Sequence, residues 1–218
     1  MTNKTNLFSL FLPLFFLMAL MVIALINYPT IFHSATSGLI IIFVALVLYT
    51  VLWYVLKPDD FSRKGGLLIG VLFIINITIE DFVDWHTQTG RLVSTLSMMV
   101  AIFLCFAIIS GVKTYRSGNI LLGLKSSFTS ALSGTLIALC FGFLICYVFE
   151  EKMLGILQDD RGYSDFSNPK EFVFFNAFDN ASSHVIIAPV VSLLMGALGG
   201  GIVLIILRFK KPTPKFEK

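Results

Sequence analysis

The sequence predicts an all-α protein, a polytopic bundle of six transmembrane helices with both termini on the cytoplasmic side. Three observations carry this. Hydrophobic residues make up 56% of the 218 residues and charged residues 13%, with a mean hydropathy of +0.88. A soluble domain is nearer about 45–50% apolar and about 25% charged. The excess falls in six blocks of roughly twenty residues or more, the length that a hydrocarbon core of about 30 Å requires. The basic residues, finally, alternate from one connection to the next.

Residues 7–26 are the first block, free of charge, with only Lys4 ahead of it. It is longer than the apolar core of a signal peptide and no A-x-A site follows, so it reads as an uncleaved anchor. Pro13 predicts a kink in its first half. An uncharged connection with Pro29 and His33 leads to residues 37–56, which end on Trp53 and Tyr54, aromatic residues expected at a membrane interface. Pro58 in the next connection, K-P-D-D-F-S-R-K, stops that helix. Residues 65–83 and 93–112 are the third and fourth spans. Gly118 then offers a C-cap and Asn119 an N-cap. The fifth helix starts with a basic turn at Lys125 and crosses over residues 127–149.

The outer loop, residues 150–182, holds seven acidic and three basic residues and is the longest connection. Within it, Ser167 or Asn168, Pro169 and Glu171 read as a capped helix start. Phe172, Phe175 and Phe178 follow at three-residue spacing with Phe174 beside them, and a short helix lying on the membrane surface is expected. Residues 183–207 form the sixth span, with a kink at Pro189, and residues 208–218 a basic cytoplasmic tail. With six spans and an inner N-terminus, 12 of the 16 basic residues fall inside. These are Lys4, Lys57, Arg63, Lys64, Lys113, Arg116, Lys125, Arg208, Lys210, Lys211, Lys215 and Lys218. Arg91, Lys152, Arg161 and Lys170 fall outside, together with 10 of the 13 acidic residues. The lysine and arginine excess marks the cytoplasmic face.

One stretch, Gly65 to Arg91, stands apart because an apolar helix runs into Glu80, Asp81, Asp84 and His86. Glu80 and Asp84 are four apart and Asp81 and Asp84 three apart, so they share a helix face. From Gly65 to Glu80 a helix rises only about 22 Å, short of the hydrocarbon thickness. Glu80 is therefore expected within the outer leaflet unless the span starts deeper in the basic loop. Asn76 and Thr78 extend the polar character inward. Carboxylates suit hard cations and an added histidine favours zinc or manganese, so Glu80, Asp81, Asp84 and His86 are the candidate cation or proton site. The bland reading is a helix end meeting water beside Trp85. Glu150, Glu151, Asp179, Asn180, Ser183 and His184 lie at the same side and either converge on that site or form a wet acidic surface.

Small residues recur every four positions on the last two spans: Ser130, Gly134, Ala138 and Gly142, then Ser192, Gly196 and Gly200. Such faces let backbones approach closely. The two spans are expected to pack on them, or to offer one to a second copy of the chain. Cys105, Cys140 and Cys146 sit inside apolar blocks and read as packing residues.

The G-V-K-x-Y-R turn, Gly111 to Arg116, followed by a Gly/Ser-rich span resembles that of small multi-span bacterial membrane proteins. This resemblance implies a bacterial cytoplasmic membrane and no particular activity. No Walker motif, G-x-S-x-G or H-E-x-x-H is present, no histidine pair sits mid-membrane, and no cofactor is expected. The net charge of +3 averages two opposite faces and gives no case for nucleic acid. The first expectation is a non-catalytic accessory or scaffold subunit, whose partners are the lipid bilayer and another membrane protein or a second copy. The alternatives are a small cation- or proton-coupled transporter using the outer acidic cluster, and a lipid-modifying enzyme at the outer interface.

Overall fold

The computed structural model describes residues 4–83, 87–158 and 166–210, and among these the chain is all helical. Six helices are long and apolar enough to cross a membrane: α1 (Lys4–Asn27), α3 (Thr36–Leu56), α4 (Asp60–Phe82), α5 (Gln88–Ser117), α6 (Ile120–Val148) and α8 (Pro169–Lys210). Two short helices join them, α2 (Ile31–Ser34) and α7 (Glu150–Leu157). The sixfold hydropathy pattern is thus realised, with boundaries set by capping groups that hydropathy does not see.

Helix α4 begins five residues before the expected start. The Asp59 side chain accepts from the Ser62 amide at 2.9 Å and its hydroxyl at 2.6 Å, an N-cap placed directly after Pro58. The earlier start adds about 7.5 Å of helix and carries Glu80 to the edge of the hydrocarbon rather than inside it. Helix α5 likewise starts at Gln88, where Thr87 Oγ1 accepts from the Gly90 amide at 3.1 Å. Gly118, at φ 66°, closes α5, and Asn119 Oδ1 caps α6 by accepting from Leu121 at 2.9 Å, as the sequence predicts.

The Phe-rich segment after Pro169 departs from expectation. It does not form a separate surface helix; it is the first three turns of a continuous 42-residue α8. Phe172, Phe174 and Phe178 are buried, Phe172 against Phe166 and Phe175, and the other two against aromatic partners from elsewhere in the bundle. Phe174 stacks on Tyr28 at 5.1 Å and leans on Tyr147 at 4.7 Å, and Phe178 meets Phe143 edge-on at 4.9 Å. Burial of that much aromatic surface favours the bundle over the interface.

Helix α6 is the centre of the bundle and packs against α1, α3, α4, α5, α7 and α8. Its small residues make this possible. A Cβ on Gly66 would lie 3.0 Å from Ser133 Cβ and 3.1 Å from the Ser130 carbonyl oxygen, so α4 and α6 cross with backbones nearly touching. Hydroxyls tie the same crossing: Ser130 Oγ donates to Ser62 O at 2.7 Å, and Ser62 Oγ and Ser126 Oγ share a hydrogen bond of 2.7 Å. On the opposite side Ser127 Oγ lies within reach of both Phe106 O and Ser192 O, at 3.1 and 3.0 Å.

Pro189 sits inside α8 and has no N–H for the carbonyl of Val185, four residues earlier. Tyr49 of α3 supplies the missing donor, its hydroxyl 2.7 Å from Val185 O. The proline is therefore accommodated by a neighbouring helix, as membrane helices require.

Candidate functional site

The bundle has an acidic end and a basic end. At the basic end Lys113 pairs with Asp59 beside Ser62. Partial burial alone would push the Asp59 carboxyl up, but the Lys113 ammonium and the Ser62 donors outweigh it and hold it down at about 2. At the acidic end Glu150, on the first turn of α7, takes the Tyr28 hydroxyl at 2.7 Å and the Lys170 ammonium at 2.6 Å. Burial, with that hydrogen bond, pushes the Tyr28 phenol up to about 12.

A cavity of about 520 Å³ opens among the helices at the acidic end. Helix α4 contributes Phe73, Asn76, Ile77, Glu80 and Asp81, and α5 contributes Arg91, Thr95 and Met99. Its rear wall is α6, from Ala138 to Cys146. Met153, Ile156 and Leu157 of α7 lie across it. Asn176, Asn180 and His184 of α8 complete the polar lining. From Phe73 to Asp81 the cavity runs about 12 Å along the helix axis, so it reaches well into a hydrocarbon layer of about 30 Å. Polar groups at that depth face protein or water rather than lipid, and here they face one another.

Within it Glu80 lies 3.8 Å from the Arg91 guanidinium, and both are part-exposed. Asp81, the next residue, is half-buried beside them. Asn76 is 9% exposed and lies just below on α4. His184 Nδ1 is 2.8 Å from the Asn180 carbonyl oxygen, and its ring meets Phe73 edge-on at 6.5 Å. The opening is braced where Phe82 packs edge-on against Phe149 at 4.8 Å and carries the Lys152 ammonium over its face at the same distance.

Of the four residues proposed as a cation site, Glu80 and Asp81 line the cavity, while Asp84 and His86 lie outside the described residues. Among the described residues no three His, Cys, Asp or Glu side chains are grouped as a metal site would need. Asn180 and His184 join Glu80 and Asp81 as the convergence reading requires. Glu150 is engaged by Tyr28 and Lys170 instead, and Glu151, Asp179 and Ser183 are exposed and do not line the cavity. Sequence reasoning passed over Asn176, Thr95 and Arg91. The first had a visible signal: Asn176, Asn180 and His184 recur every four residues, one polar stripe on an apolar helix.

The small-residue stripes divide between two uses. Ser130 and Gly134 meet α4, the Cβ position of Gly134 lying 2.7 Å from Ile69. Gly196 faces Ser127 Cβ at 3.2 Å, Ser192 O accepts from Ser127, and Gly200 faces Ile120, Ser110 and Thr114 at 3.0 Å. Ala138 and Gly142 line the cavity wall, and a Cβ on Gly142 would find nothing within 4 Å. The chain matches no protein-family model, and comparison with curated proteins and with solved structures gives no match.

Proposed function

We propose that the protein is a small cation- or proton-coupled membrane carrier whose binding site is this cavity. The observation that supports it most is the juxtaposition of Asp81 and Glu80 with Asn76, Asn176, Asn180 and His184 around about 520 Å³ of space. Glu80 and Asp81 stand beside Arg91, with Lys152 at the opening over Phe82, and two neighbouring carboxylates of like charge favour uptake of a proton or a cation. The amides and the imidazole offer hydrogen-bond donors and acceptors for a small polar solute. In this reading the membrane is a bacterial cytoplasmic membrane, the basic end and both termini are cytoplasmic, and the cavity takes its ligand from outside.

Thermal unfolding of the purified protein across pH 5–8 and a series of Na⁺, K⁺, Mg²⁺, Ca²⁺, Mn²⁺ and Zn²⁺ tests this. The wild type is expected to gain stability with one cation or on acidification. Asp81→Asn is expected to lose that response, and Gly142→Leu, whose Cβ meets nothing within 4 Å and whose side chain enters the cavity, to lose it as well. A wild type indifferent to every condition, or an Asp81→Asn variant with the full response, overturns the proposal. The accessory-subunit reading is the second. It needs a docking surface other than Ser130, Gly134, Ser192, Gly196 and Gly200, which have neighbours within the chain. Native mass spectrometry of gently extracted protein, with or without a stoichiometric partner, decides between the two. The lipid-modifying reading draws on His184, whose imidazole takes its own Asn180 carbonyl rather than a carboxylate.

A further inference from the structure

A second cavity, of about 690 Å³, lies at the opposite end of the bundle and has a different character. Helices α1 and α4 both pack on α6, and the crevice runs between them. Its walls are Leu12, Phe16 and Leu67, all exposed, with Ile137 and Cys140 of α6 behind. Exposed apolar residues in spanning helices face acyl chains, so this crevice opens sideways to the bilayer rather than to water. From Asp60 to Leu67 it extends about 10 Å into the membrane.

Its mouth is charged. Asp60, Arg63 and Lys64 border it at the basic end. Asp60 takes Lys64 Nζ at 2.8 Å and Arg63 Nη2 at 3.3 Å, so two cations share one carboxylate and one positive charge remains. The Arg63 side chain is only 20% exposed, and its Nε–H is buried with no hydrogen-bond partner. A buried charged donor left unmet is costly, and a guanidinium presents a fork that matches phosphate oxygens. A guanidinium with a net positive remainder at the mouth of an acyl-lined crevice calls for a molecule with an anionic phosphate head and an apolar tail.

We propose that this crevice is a binding site for an anionic glycerophospholipid, with the phosphate on Arg63 and an acyl chain between α1 and α4. Lys64, 77% exposed, extends toward the rest of the headgroup. The positive remainder at the mouth selects an anionic headgroup over a zwitterionic one, consistent with lipid attraction to basic juxtamembrane residues.

The test uses the full chain, purified and delipidated in an uncharged detergent, with phosphatidylglycerol, phosphatidylethanolamine and phosphatidylcholine of identical acyl chains. Retained lipid is counted by native mass spectrometry during titration. Phosphatidylglycerol is expected to bind most tightly, and Arg63→Gln to weaken it at least roughly tenfold. Leu67→Trp fills the crevice without touching the charge and is expected to weaken binding too, with elution volume and helix content unchanged. Arg208→Gln removes a charge from the same end outside the crevice and is expected to leave binding intact. Equal binding of the three lipids, an Arg208→Gln loss as large as that of Arg63→Gln, or full displacement by inorganic phosphate would each overturn the assignment.

Discussion

Gly199→Ala is the sharpest test of how the bundle is held. A Cβ at position 199 would land on the Ala107 carbonyl oxygen, 2.6 Å from the carbonyl carbon and 2.8 Å from Cα. The obstacle is α5 backbone, so no rotamer change relieves it. To restore ordinary contact at 3.4 Å with that oxygen, α5 and α8 must part by about 1.4 Å. Overpacking of this kind costs about 1–3 kcal/mol, and a backbone obstacle belongs at the upper end. Alanine recovers about 1 kcal/mol through helix propensity. Gly201→Ala removes that offset from the comparison, because it receives the same propensity gain while its Cβ meets nothing within 4 Å. The gap between the two variants therefore measures packing alone. Thermal unfolding in detergent should place Gly199→Ala several degrees below wild type and Gly201→Ala at or above it. If the two variants melt together, the α5–α8 contact is not the close crossing described here.

Two further outcomes follow from single contacts. Tyr49→Phe leaves Val185 O unmet and should cost about 1–3 kcal/mol; in a Pro189→Ala background, which returns the helical N–H, the cost should shrink, and strict additivity in the double-mutant cycle refutes the account. Asp59, held down at about 2 against 3.8 for the free group, stabilises the fold above pH 3.8 and loses that contribution as pH falls through about 2. Asp59→Asn should accordingly melt below wild type at pH 7 and close the gap near pH 2, whereas a gap constant with pH would contradict the Lys113 pairing.

The helices were legible because bilayer solvent imposes a length and a composition on every crossing segment, and six blocks satisfied both. Their starts were less so. The sequence P-D-D-F-S before α4 contains an N-cap, Asp59, with Ser62 three residues on, but the apolar run that marks the span begins only at Gly65. The continuity of α8 was hidden for a related reason. Asp179, Asn180, Ser182 and Ser183 look like a break between a surface helix and a span, yet none of them ends a helix. Asn180 is polar because it lines a cavity, and Ser182 returns its hydroxyl to Asp179 O at 2.7 Å.

The cavity shows where reading small residues by spacing reaches its limit. Ser130, Gly134, Ala138 and Gly142 form one stripe by spacing, and the spacing says only that α6 presents little side chain along that face. What fills the vacated volume depends on whether another helix arrives there. Near Ser130 and Gly134 α4 does arrive, brought by Gly65, Gly66 and Gly70, whose own lack of side chain allows it. Two turns on, α4 carries Phe73, Asn76 and Ile77, too bulky for the same approach, and the helices stand apart. The same stripe then ceases to be a contact and becomes a wall. The information lay in the pairing of two helices, Gly-rich against Gly-rich at one end and Gly against Asn and Phe at the other. A four-residue rule applied to α6 alone does not contain it, and the acidic cluster gains its cavity because of that change of partner.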